Sequence, residues 1–339
     1  MYEQVSHKAN GAYNAMTQTI PLCAHTTRSP TPHQLFTNLI HRAGQQAPVP
    51  FALVWPCEEH ALAGAVDAAK ARLIEPVLIG DETRIHATAQ SCHIDLQPYK
   101  IIPAPTPETA AQRAVELART GHVQGIMKGS LHTDTLMHAI VSPGSGLCTA
   151  RRISHVFLLA VPDYTNLLFV TDAAINIFPD LSTKQDIVQN AIDLHIGLGL
   201  GQPKVAILSA VEVINPKIPS TLDAASLCKM AERGQITGGI LDGPLGMDNA
   251  INPEAARIKG LKSPVAGHAQ ILVAPDLEAG NMLAKNLIFM AQAESAGIAL
   301  GAKVPIVLTS RADNVQARLA SAAIGALYAR HLAEQGRAF

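Results

Sequence analysis

The stretch PFALVWPCEEHALAGAVDAAKARLIEPVLIG (50–80) decides the fold class. Its opening, Pro50-Phe51-Ala52-Leu53-Val54-Trp55, is a short apolar run bounded by proline, the pattern of a strand buried on both faces. From Glu58 to Ala71 the residues Ala, Leu and Val recur at helical spacing, and the segment ends in basic Lys70 and Arg72. Pro76-Val77-Leu78-Ile79-Gly80 is the next strand. Strand, helix and strand at this pitch predict a parallel pair joined by a right-handed crossover.

The alternation continues outward. Thr106-Pro107-Glu108 is a good helix start, so a helix is expected over 107–120, followed by a strand at Val123–Met127. Pro, Gly and Ser gather at Ser142–Gly146, a candidate hinge. Beyond it come apolar runs at Ile153–Val161 and Leu167–Thr171, a helix at Lys184–Leu198 and a strand at Lys204–Ser209. The pattern closes with a helix at Ser220–Arg233, a strand at Ile236–Leu241, a loop at Asp242–Met247 and a strand at Ile271–Ala274. A helix at Gly280–Ser295, a strand at Val304–Leu308 and a helix at Asp313–Leu332 follow. The expected class is α/β with mainly parallel sheets in two domains, the second over about 146–290. Residues 1–44, with the Ser/Thr/Pro-rich patch Thr26–Pro32, read as a mobile N-terminal arm.

Composition agrees and excludes other classes. The 339 residues are 48% hydrophobic, 16% charged and 4% aromatic, which supports a large core and rules against disorder. Net charge is −1 with no concentration of Lys and Arg, so a nucleic-acid partner is not expected. The 14 histidines are scattered without HExxH or similar spacing, so no metal is expected. Cys23, Cys57, Cys92, Cys148 and Cys228 are odd in number and far apart, which fits a reducing cytoplasm rather than a disulfide framework. No apolar run reaches the roughly 18 residues of a membrane span, and residues 1–44 lack the order of a secretory signal.

In parallel α/β sheets, ligands sit at the carboxyl ends of strands, where loops enter helices. Four loops qualify. In Met127-Lys128-Gly129-Ser130-Leu131-His132-Thr133-Asp134, Gly129 permits close backbone approach to an anion, Ser130 and Thr133 offer hydroxyls, and Lys128 offers a charge. The competing reading is a capped helix start with a solvated lysine. Val307-Leu308-Thr309-Ser310-Arg311-Ala312-Asp313-Asn314 delivers a hydroxyl, a guanidinium and a carboxylate from one buried strand; here Ser310 or Asp313 serves equally well as a helix cap. The loops at 241–250, with Asp242, and 274–281, with Asp276, Gly280 and Asn281, are rich in turn formers and read as tight turns. Walker and GxSxG spacings are absent.

Together, MKGSLHTDTLMHAIV (127–141), RRISHVF (151–157), TDAAINIFPDL (171–181), NPKIPSTLDAA (215–225), GGILDGPLGMDNAI (238–251), APDLEAGNMLAKNL (274–287) and PIVLTSRAD (305–313) resemble the phosphate acetyl/butyryltransferase family. They also resemble the transferase half of hydratase–transferase fusions. The resemblance implies an architecture similar to the isocitrate/isopropylmalate dehydrogenases: a first domain of 45–145 plus 291–339, a second of 146–290 carrying a homodimer interface, and an active site between them. It implies acyl-CoA and phosphate exchanging for acyl phosphate and CoA, with coenzyme A as co-substrate and no permanently bound cofactor. Arg311 would hold phosphate, Ser310 the developing oxyanion, and Lys128, Gly129, Ser130, Thr133, Asp242, Asp276, Gly280 and Asn281 the substrates. The acetyl-specific branch has its proposed catalytic Asp seven residues after the Ser, where Ala317 stands here; Asp313, as in the butyryl-like branch, takes the role of base. Two other readings are a metal- and nicotinamide-dependent hydroxy-acid dehydrogenase of similar fold and a non-catalytic acyl-CoA binding protein.

Overall fold

A computed structural model describes residues 32–309 and 313–336. Along the chain these form α1 (Pro32–Gly44), β1 (Val49–Val54), α2 (Glu59–Lys70), β2 (Ile74–Gly80), α3 (Glu82–Ser91), β3 (Lys100–Pro103), α4 (Pro107–Arg119), β4 (Gly125–Lys128) and α5 (Thr133–Val141). The central part holds β5 (Ser154–Ala160), β6 (Leu168–Thr171), α6 (Leu181–Gly197), β7 (Lys204–Leu208), α7 (Pro219–Glu232), β8 (Ile240–Leu245), α8 (Met247–Ile251), α9 (Pro253–Ile258) and β9 (Ile271–Val273). The chain ends with α10 (Leu277–Phe289), β10 (Glu294–Leu300), β11 (Ile306–Val307) and α11 (Val315–Glu334).

All described strands join one sheet in the order β3-β2-β1-β4-β11-β10-β5-β6-β9-β7-β8. Seven of the ten neighbouring pairs are parallel. The antiparallel ones cluster in the middle, where β10 pairs with β11 and β5, and β5 with β6. The late strands β10 and β11 therefore lie between β4 and β5, far from their place in the chain. Buried strands such as β1, with Phe51, Leu53 and Val54 fully buried, need helices on both faces. Helix α11, buried around most of its circumference, packs on α1, α2 and α6 above this central region.

Local chemistry sets several boundaries. Helix α4 opens with a capping box: Thr106 Oγ1 accepts from the Thr109 amide at 3.3 Å, Thr109 Oγ1 accepts from the Thr106 amide at 3.1 Å, and Pro107 stands at the first helical position. We expect Thr106→Ala to cost about 1 kcal/mol in urea unfolding, because the Thr109 amide loses its acceptor.

Four sequence expectations need correction. Residues 32–44 are helix α1, with Phe36, Leu39 and Ala43 buried in the core, so this part of the expected arm is packed; the rest of the arm lies outside the described residues. ESAGIAL (294–300), expected to end a helix and enter a loop, is β10, held by partners on both sides. Strand β8 begins later than expected and pairs through Asp242 and Leu245, with Gly243 and Pro244 at an irregularity between them; as an edge strand it tolerates the missing proline donor. Helix α3 and the short strand β3 form where no element was anticipated. Among the described residues, no helix is long and apolar enough to cross a membrane.

Candidate active site

Where β4 and β11 end beside the antiparallel pair β10–β5, the sheet leaves a cavity of about 1030 Å³. Its walls come from the end of β4 and the start of α5, from β5 and β10, from the last turn of α10, and from the segment entering α11.

Lys128, Thr133 and Asp313, expected from three different positions along the motifs, meet at this cavity. Lys128 closes β4 with its side chain only 8% exposed, and its ammonium donates to the carbonyls of Gly129 at 3.2 Å and Thr309 at 3.4 Å. Those carbonyls orient the ammonium at the mouth of the cavity. Thr309 Oγ1 in turn donates to the Lys128 carbonyl at 3.3 Å, tying the ends of β4 and β11 together. Thr133 is the first residue of α5, and the residue before it, His132, makes no side-chain cap. Asp313 lines the cavity ahead of α11, but the cap of that helix is Asn314, whose Oδ1 accepts from the Ala317 amide at 2.8 Å. The capping role weighed for Asp313 therefore belongs to its neighbour. Ser310 and Arg311 lie outside the described residues.

The other expected binding residues are held by structural contacts and do not line the cavity. Ser130 Oγ donates to the Trp55 carbonyl at 2.7 Å and accepts from the Cys57 amide at 3.2 Å. Gly129 passes so near β1 that a Cβ would stand 2.4 Å from the Val54 carbonyl oxygen. Asp276 caps α10 through the Ala279 amide at 2.8 Å, and Asn281 Nδ2 donates to the Ala173 carbonyl at 3.0 Å. At Gly280 a Cβ would lie 2.4 Å from the Asp172 carbonyl oxygen, so a side chain is excluded. Asp242 sits within β8, its carboxylate accepting from the Gly243 amide at 2.9 Å.

The cavity also contains groups that the spacing of residues did not single out. His155 and Phe157 point from β5, with ring centroids 4.5 Å apart in an edge-on arrangement. Burial holds the His155 pKa down at about 4, so the imidazole is neutral near pH 7. Lys285 and Phe289 come from α10, the ammonium 5.8 Å from the ring centroid, and Glu294 and Gly297 from β10. The sequence signal for His155, Phe157 and Lys285 was membership of the quoted motifs at 151–157 and 274–287, not any recognisable catalytic spacing; Phe289, Glu294 and Gly297 lie outside the quoted motifs. Below Ala174, which lines the cavity, the buried Asp172 carboxylate accepts from the amides of Ala174, Ile175 and Asn176 at 3.0, 3.2 and 3.1 Å.

Residues 108–326 match the sequence profile described as phosphate acetyl/butaryl transferase. The chain belongs to the phosphate acetyl/butyryltransferase family. It is 59% identical over 302 residues to the phosphate acetyltransferase of Rhizobium meliloti, covering 89% of this chain and 96% of that one. Over 272 residues it is 41% identical to the phosphate butyryltransferase of Clostridium acetobutylicum, covering 80% and 90%. Its fold is similar to that of a branched-chain phosphotransacylase from Enterococcus faecalis V583, with a TM-score of 0.73, 30% identity and coverage of 84% and 99%. Relatives thus bear names spanning acetyl, butyryl and branched acyl groups, so membership fixes the class of transfer and not the acyl length.

Proposed function

We propose that this enzyme interconverts a short-chain acyl-CoA and phosphate with acyl phosphate and CoA, in a ternary complex at the cavity between β4, β11, β10 and β5. The observation that carries this reading is the meeting of Lys128, Thr133 and Asp313 in one cavity that has an apolar side formed by Phe157, Ile288 and Phe289. The polar side suits the phosphate and the apolar side an acyl group. A dehydrogenase reading has no comparable support in the family to which the chain belongs.

In the direction of acyl-CoA formation, the thiol proton passes to the Asp313 carboxylate, since a thiol of pKa near 8.5 is mostly protonated at neutral pH. The sulfur then bonds to the acyl carbonyl carbon, and the carbon–oxygen bond to phosphate breaks, with phosphate leaving with the electron pair. Lys128 and Arg311 hold the phosphate, and Ser310 hydrogen-bonds the carbonyl oxygen as charge develops. These roles require neither an acyl-enzyme nor a resident cofactor. We also read residues 45–145 with 291–339 and 146–290 as two lobes bounding the site, in a homodimer; sedimentation equilibrium giving one chain mass would remove the dimer.

Thiol release from acetyl-CoA, propionyl-CoA and butyryl-CoA, each with phosphate or arsenate, tests the reading, and activity with none of them ends it. For the base, Asp313→Asn and Asp313→Ala are both expected to lower kcat by about 10²-fold and to flatten the rise of rate with pH. Near-normal turnover in both variants removes Asp313 from the mechanism.

A further inference from the structure

His155 has no role in the mechanism above, yet its setting is that of a ligand-contacting group. The residue is 2% exposed, and its Nδ1 is fully buried with no hydrogen-bond partner among the described residues. Leaving a buried polar atom without a partner is costly, so a core histidine would ordinarily be bonded. On the other side of the ring is Gly297, where a Cβ would meet His155 Nε2 at 3.0 Å and the Leu308 carbonyl oxygen at 3.5 Å. Glycine therefore keeps open the space that Nε2 faces, and His155, Gly297 and Leu308 all line the cavity. A bare lone pair at the enclosed Nδ1 is tolerated better than an orphaned N–H, which places the proton of the neutral ring on Nε2.

We propose that His155 is a catalytic residue whose Nε2–H donates a hydrogen bond to the carbonyl oxygen of the bound acyl group. This rests on the acyl-transfer reading of the same cavity. Phe157, Ala296, Gly297 and Leu308 form the apolar part of the wall around His155, matched to an acyl chain with one oxygen to satisfy; the charges of Lys285 and Asp172 also act on the ring, and the cationic Lys128 suits the phosphate. A neutral donor fixed in a water-poor wall gains strength as the oxygen becomes an oxyanion. His155 keeps its proton throughout, so the bonds made and broken and the path of the thiol proton are unchanged.

The test compares His155→Phe, His155→Gln and Gly297→Ala with the wild type in thiol-release kinetics and thermal unfolding. His155→Phe fills the same space without a donor and is expected to lower kcat by about 10²-fold, with the KM for phosphate and the Tm close to wild type. His155→Gln returns an N–H near the Nε2 position and is expected to recover part of that loss. Gly297→Ala, whose methyl group crowds Nε2, is expected to lower kcat in the same way. If kcat for His155→Phe stays within threefold of wild type, the role is overturned. It is also overturned if only the KM for phosphate rises, or if Phe and Gln lose activity equally together with Tm. A wild-type protein that releases no thiol from any of the three acyl-CoAs removes the transferase reading itself, whereas an active wild type with an unaffected His155→Phe removes this contact alone.

Discussion

Lys128→Met is expected to lower kcat/KM for phosphate by about 10³-fold while changing the unfolding temperature far less. The ammonium is nearly buried, and its described hydrogen bonds to the Gly129 and Thr309 carbonyls lie at the long end of the range, at 3.2 and 3.4 Å. Taking a cation out of water is costly to the fold even where hydrogen bonds hold it, so a buried lysine adds little net stability. An arriving phosphate reverses that balance, because charge-assisted hydrogen bonds in a water-poor cavity are about twice as strong as neutral ones. Losing one such contact to a transferring group is worth on the order of 10²–10³ in rate, and Lys128 also ties β4 to β11 beside Asp313. Lys128→Arg keeps the charge with a different shape and should fall between the two. A purely structural lysine would give the opposite result, with Tm lost and phosphate kinetics kept. Steady-state rates at varied phosphate, together with a thermal melt, decide between them.

Legibility in the sequence followed the range of the forces involved. The parallel pairing of β1 with β2 was readable because the whole unit lies within residues 50–80, where apolar runs and helical spacing are set by neighbours in the chain. Strand β10 was not, because Glu-Ser-Ala-Gly-Ile-Ala-Leu has little strand preference of its own and becomes a strand only between β11 and β5. At β8 the Gly243-Pro244 pair looked like a turn, and only the strand's place at the sheet edge makes it acceptable. Helix α1 was hidden behind the proline-rich segment before it, although Phe36, Leu39 and Ala43 have helical spacing. The site divided in the same way. Lys128 ends β4, and Thr133 and Asp313 follow β4 and β11 where the chain enters helices, the places where ligand groups are sought, whereas Asp276 and Asn281 follow β9 in a similar way and serve as a cap and a strut. His155 lies within a strand and read as core. What makes it a cavity residue is the absence of a side chain at Gly297, on a strand that no local pattern announced.

The second large effect concerns the support beneath the cavity. Asp172→Ala is expected to lower the unfolding free energy by about 3–5 kcal/mol, seen as a lower urea midpoint at unchanged m-value. The carboxylate is 3% exposed and accepts from three successive amides, those of Ala174, Ile175 and Asn176, as well as from Asn176 Nδ2 at 2.6 Å. Removing it orphans these donors at once, and each buried donor left unmade costs about 1–3 kcal/mol, less where water reaches it. The damage is not confined to one turn. Asn176 Nδ2 also donates to the Ile153 carbonyl at 2.9 Å, and the Ala173 carbonyl receives Asn281 from α10, so the turn fastens β5 and α10 to the end of β6. Both of those elements supply cavity walls, so activity at low temperature should fall as well. Asp172→Asn keeps one acceptor oxygen but turns an NH2 group toward donors, and should cost about half as much. A loss below 1 kcal/mol for the alanine variant would show that water, rather than this carboxylate, satisfies the turn.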